Sequence, residues 1–195
     1  MDIYSNKIPD FWFDEERNFE NKYLYNKLNN NHLYDGFRLQ EVYFNCIKPK
    51  FKECHIVFTE RIVATFDDTD KRYHSRVVVL GYPCIISIKG LTKALALYKD
   101  YYNIKNIMPE VGERIKEDIY NLVNKNLFKF LLKYVIQCIF YIFFDEGFCN
   151  YSFCLHFNNH WFSEVYEQVN NINKKLKFSK LFCEHHKNLF YKIKN

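Results

Sequence analysis

The chain has 195 residues, 48% of them hydrophobic and 19% aromatic, and a net charge of +5. That length suits one domain, taken here as residues 1–195, and 20 Phe with 16 Tyr exclude a disordered chain, which would be poor in aromatics. Only 5 Gly and 4 Pro exclude collagen-like or linker-like sequence.

The N-terminus, MDIYSNKIPDFWFDEE, carries acids where a signal peptide needs a basic start and an apolar run. Seven Cys, an odd number without regular spacing, then predict reduced thiols and an intracellular location. Residues 1–50 read as a helical and loop layer, with the tract Asn29–Asn31 as a loop and a helix over 36–52 that stops before Pro49. HIVFTERIVATF (55–66) is β-branched and aromatic, which predicts a strand or strand pair. Asp67, Asp68, Thr69 and Asp70 follow as a polar turn.

Arg76–Leu80 (RVVVL) is a continuous apolar run, the pattern of a buried parallel strand, and it stops at Gly81-Tyr82-Pro83. Thr92–Tyr101 reads as a helix. Pro109 opens the next one, where a missing N–H costs nothing, with Val111, Ile115, Ile119 and Leu122 on one face. Tyr134–Phe144 is either a buried strand or a helix, and is too short to span a bilayer. Trp161–Leu176 is helical, Phe178–Cys183 a short strand, and a basic helix ends the chain. Alternation of strands and helices after residue 76 predicts an α/β fold, a central mostly parallel sheet flanked by helices.

Two groups of metal-ligand residue types stand out. Cys149, Cys154, His156 and His160 form one, and Cys183, His185 and His186 the other. Zinc sites favour C-x2-4-C and H-x3-5-H pairs, and the C-x4-C spacing with one residue between Cys154 and His156 makes buried free thiols the simpler expectation. No metal and no cofactor is expected. There is no G-x-S-x-G, no P-loop and no recognisable Cys/His catalytic frame. Lys174, Lys175, Lys177, Lys180 and Lys187 concentrate positive charge near the C-terminus, which suits either a polyanion or a solvated surface.

From Arg76 onward the order of segments resembles the uracil-DNA glycosylases, the poxvirus branch above all. RVVVLGYP (76–83) resembles the family's buried strand and catalytic loop without its acidic residue. MPEVGERIKEDI (108–119) resembles its Pro-led helix, His156 and Trp161 its loop and helix start, and KLKFSKLFCEHHKNLFYKI (175–193) its last strand and basic helix. The resemblance implies a three-layer sandwich with a glycosylase-like core at 76–195. It also implies a catalytically degenerate protein that binds DNA through its backbone, with Lys174–Lys194 on phosphates and a protein partner in a viral replication or processivity complex. Gly81, Tyr82 and Pro83 are then the degenerate loop, and Asp67 or Asp68 the fallback carboxylates. The AT-rich codon signature suits a large DNA virus, with the protein in a cytoplasmic viral factory or the nucleus and no membrane. Two other readings are a divergent active uracil-DNA glycosylase in base-excision repair and a viral host-interaction module without a DNA role.

Overall fold

The computed structural model describes residues 33–47, 53–174 and 178–194. The expectations for residues 1–32, and for Lys175 and Lys177, lie outside the described residues.

Strands occupy the first part of the described chain. They are β1 (Leu33–Asp35), β2 (Ile56–Thr59), β3 (Ile62–Asp67), β4 (Arg72–Arg76), β5 (Val78–Val79) and β6 (Cys84–Ser87). Helix α1 (Gly36–Ile47) follows β1 directly, and Asp35 starts it by accepting from the Phe37 and Arg38 N–H groups at 3.0 Å each. After Ser87 the described elements are α2 (Gly90–Lys93), α3 (Lys99–Ile107), α4 (Pro109–Lys125), α5 (Leu127–Phe144), α6 (Phe162–Asn173), a short 3-10 turn (Phe178–Leu181) and α7 (Glu184–Lys194).

The class is mixed α/β, but the expected central parallel sheet is replaced by two small mixed sheets. One has the order β1-β3-β4 and the other β2-β6-β5. β1 pairs with β3 in parallel (Leu33 opposite Ile62), and β2 pairs with β6 in parallel (Ile56 opposite Cys84). β3 with β4 and β5 with β6 are antiparallel.

The run predicted as one strand at Arg76–Leu80 is split between the sheets. Arg76 closes β4 opposite Val63, while Val78 and Val79 cross to pair with Ile86 and Ile85. Likewise, 55–66 yields two strands that enter different sheets rather than pairing with each other. β6, whose Cys-Ile-Ile-Ser sequence was not expected to be a strand, is buried along its whole length, as is the two-residue β5.

Other expectations shift with packing. Thr92–Tyr101 is interrupted: α2 ends at Lys93, and α3 starts at Lys99. Tyr134–Phe144 resolves as the second half of α5, and Phe178–Leu181 is a 3-10 turn, not a strand. Strands and helices therefore segregate along the chain instead of alternating after residue 76.

Helix α5 is the spine. It is long and apolar enough to cross a membrane by length and composition. One face (Phe130, Tyr134, Cys138) joins β5, β6 and α6 in a core with Ile86, Leu91 and Val165. Its other face (Ile136, Phe140) enters a second core with Cys149, Cys154, Leu155, Leu181, Phe182 and Cys183. Two buried polar residues on α5, Lys133 and Gln137, reach the loop after the helix, and that loop carries the site.

Candidate metal centre

The segment from Asp145 to Trp161 contains no helix and only isolated bridges, yet Cys149, Cys154, Leu155 and His156 on it are buried. Backbone polar groups in such a segment need partners, and three side chains supply them. Lys133 Nζ donates to the Leu155 and Phe157 carbonyls at 3.3 and 3.2 Å. Gln137 Nε2 donates to the Phe157 carbonyl at 2.9 Å, and Gln168 Nε2 to those of Ser152 and Cys154 at 2.6 and 3.0 Å. The Leu155 N–H donates to the Leu181 carbonyl at 3.0 Å, which docks the loop on the segment leading to α7.

That docking brings the two metal-ligand groups together. Cys149, Cys154, Cys183 and His186 are all buried and place their four donor atoms within 4.8 Å of one another. Cys149 Sγ lies 3.8 Å from Cys183 Sγ, and Cys183 Sγ lies 3.0 Å from His186 Nδ1. With Zn–S bonds of about 2.3 Å, neighbouring sulfurs of a tetrahedral centre stand about 3.8 Å apart. The first separation already matches. The sulfur–nitrogen pair, drawn close by its hydrogen bond, needs to open by roughly half an ångström to reach the edge implied by those bond lengths.

Burial holds the Cys149 thiol above its ordinary pKa and pushes Cys154 up to about 12. Burial and then the neighbouring His185 charge lower the pKa of His186, which favours its neutral imidazole. A soft divalent cation would reverse the thiol shifts, because thiolates are the ligating form. The Tyr151 N–H, 3.4 Å from Cys149 Sγ, is placed to donate to such a thiolate.

Of the sequence candidates, Cys149 and Cys154 belong to the centre, while His156 and His160 do not. His156 is buried, but its Nε2 is engaged by the Gly147 carbonyl at 2.6 Å, and burial lowers its pKa to about 4. His160 is exposed. Cys183 and His186 of the second group join Cys149 and Cys154 in a four-donor cluster built from distant segments.

The remaining candidates serve the fold or the surface. In the Gly81-Tyr82-Pro83 loop, Tyr82 Oη donates to the Ile142 carbonyl at 3.2 Å, and the Pro83 carbonyl accepts from Gln40 Nε2 at 2.7 Å. That loop ties α1 and α5 to the sheet. Asp67 caps the β3–β4 turn by accepting from the Thr69 N–H at 2.9 Å, and Asp68 pairs with Lys71 at 3.1 Å. Trp161 precedes α6, its N–H 3.3 Å from the Glu164 carboxylate. Lys174 and Lys180 are exposed, and Lys187 pairs with Glu184 at 3.3 Å.

A family model described as a probable metallopeptidase family (DUF6775) matches residues 5–193. The chain belongs to that family. No curated protein and no solved structure gives a match. Membership overturns the resemblance to uracil-DNA glycosylases, and with it the DNA-repair, replication and processivity roles drawn from it. The pieces behind that resemblance were short and individually common, and the loop said to lack its acid is a packing turn.

A metallopeptidase of the H-E-x-x-H type sets two His on one helical face with Glu as general base. His156-Phe157-Asn158-Asn159-His160 has that His spacing, but Phe157 stands where the base belongs, and the segment is not helical. H-E-x-x-H occurs nowhere in the sequence. These residues therefore do not fit a hydrolytic zinc. The Cys149, Cys154, Cys183 and His186 set does fit a zinc ion, of the four-ligand kind that leaves no position open to substrate.

Proposed function

We propose that this chain is a zinc-binding protein in which Cys149, Cys154, Cys183 and His186 hold one ion in a closed structural centre. The observation that supports it is the convergence of three buried thiols and one imidazole, with two sulfurs at the tetrahedral spacing. The ion would fasten the irregular loop after α5 to the start of α7, two segments otherwise joined by side-chain and single backbone bonds. Its thiolates suit a reducing compartment. Peptide hydrolysis would need an open coordination position and a carboxylate base, and a centre with four protein donors offers neither.

Metal analysis of the purified full chain tests this reading. One equivalent of zinc is expected, and cobalt substitution should give the intense sulfur-to-cobalt charge-transfer absorption of thiolate ligation. Cys154→Ser and Cys183→Ser should each remove it. A wild-type protein that neither retains zinc nor shows that absorption with cobalt would refute the assignment.

A further inference from the structure

The ring of His186 has two nitrogens, and the closed centre uses one. Nδ1 faces the thiols, 3.0 Å from Cys183 Sγ. Nε2 is buried without a hydrogen-bond partner, although the residue is only 4% exposed. A buried polar atom left unpaired costs stability unless a ligand takes it.

Beside this ring lie Glu146, at the end of the α5 turn, and His185, the preceding residue of α7. Glu146 Oε1 sits 2.8 Å from His185 Nε2. Glu146, His185 and His186 bring three donors within 4.8 Å of one another, and burial falls outward from His186 through half-buried Glu146 to exposed His185. Two imidazoles and one carboxylate leave room for water at a fourth position, a donor set that holds borderline divalent cations such as zinc or cobalt.

We propose that Glu146, His185 and His186 form a second, solvent-facing site for a divalent cation, sharing the His186 ring with the closed centre. The assignment of Nε2 to this site rests on the closed-centre reading, which occupies Nδ1. With both ring nitrogens used as ligands, the His186 ring would give up its N–H proton to water as the second cation binds. The hydrogen bond between Glu146 and His185 would give way to two metal–ligand bonds, the proton it held passing to water. Because His185 and Glu146 reach solvent, this ion exchanges more readily than the enclosed one.

Cobalt titration of the full chain, followed by absorption and by metal content after desalting, tests the proposal. Two equivalents are expected: one with the sulfur charge-transfer band, and a weaker one that adds only ligand-field absorption. Glu146→Gln and His185→Ala should weaken the second equivalent at least tenfold and leave the charge-transfer band of the first intact. Circular dichroism on the same samples shows that these surface variants fold. His74→Ala, at the exposed Asp67, Asp70 and His74 cluster, should leave both equivalents unchanged. A wild type that stops at one equivalent, or a second equivalent that survives in both rim variants, overturns the proposal. Loss of the charge-transfer band from the wild type instead refutes the closed centre, and the two failures are read in separate signals.

Discussion

Lys133 gives a direct test of how the loop is held. Its amine is fully buried in the middle of α5, with no carboxylate bonded to it, and burial lowers its pKa to about 7. An unfolded lysine titrates near 10.4. Between those values the unfolded chain binds the extra proton and the folded one does not, so stability rises with pH across this window and is lost as pH falls through it. At about 1.4 kcal/mol per pKa unit, the folded state carries a burden of roughly 4–5 kcal/mol below pH 7. Against this stand two hydrogen bonds to the Leu155 and Phe157 carbonyls, worth about 1 kcal/mol each. In Lys133→Met, Gln137 still reaches the Phe157 carbonyl, so part of the anchoring persists. The variant should be more stable than the parent by about 2–3 kcal/mol at pH 6, and less stable by about 1–2 kcal/mol near pH 10. Urea unfolding of both proteins across that range, at equal metal loading, measures the difference. Two pH profiles running parallel would refute the reasoning, because then the buried amine does not titrate with folding.

Gly90→Ala should destabilise by about 1–3 kcal/mol, since its new Cβ would stand 2.7 Å from the Arg76 carbonyl oxygen, a backbone atom that cannot yield; thermal unfolding reads this. Phe140→Ala should cost about 3–5 kcal/mol. It should also hasten zinc transfer to a chelator, because the Phe140 ring packs on His156, Phe182 and His186. Gln168→Leu leaves the Ser152 carbonyl without its 2.6 Å donor and should cost about 1–3 kcal/mol, measured by urea unfolding with and without zinc.

Local signals in the sequence located several helices well. Pro109 does open α4, the Val165 and Val169 face of α6 is buried in the core, and α1 runs from Gly36 to Ile47 as its composition suggested. What escaped was set by distant partners. Val78 and Val79 look like a continuation of Arg76, but hydrogen bonding across to β6 turns them into the other sheet. Residues 84–87 form a short apolar run after Pro83, a signal that could have marked a buried strand, and only pairing on both sides by β2 and β5 makes them the central one. Phe178–Leu181 is apolar enough for a strand, yet it lies beside the Cys154 loop and pairs with no strand among the described residues.

The four-donor cluster was half legible for the same reason. Both groups are visible as clusters of Cys and His, but spacing rules compare residues within one segment, and only two of the first segment's four candidates reach the cluster. Joining them requires the Leu155–Leu181 backbone bond, which no local pattern encodes. The choice of histidine is also tertiary. The His156 and His186 rings lie 4.6 Å apart, but only His186 brings a ring nitrogen within 4.8 Å of all three thiols. The Gly147 carbonyl draws His156 Nε2 into a 2.6 Å hydrogen bond, while Nδ1 of His186 meets Cys183 from the first turn of α7. The Gly147 carbonyl thus holds His156 apart from the cluster that His186 joins. That carbonyl stands at its post because Asp145, in the left-handed conformation, ends α5 and turns the chain toward it.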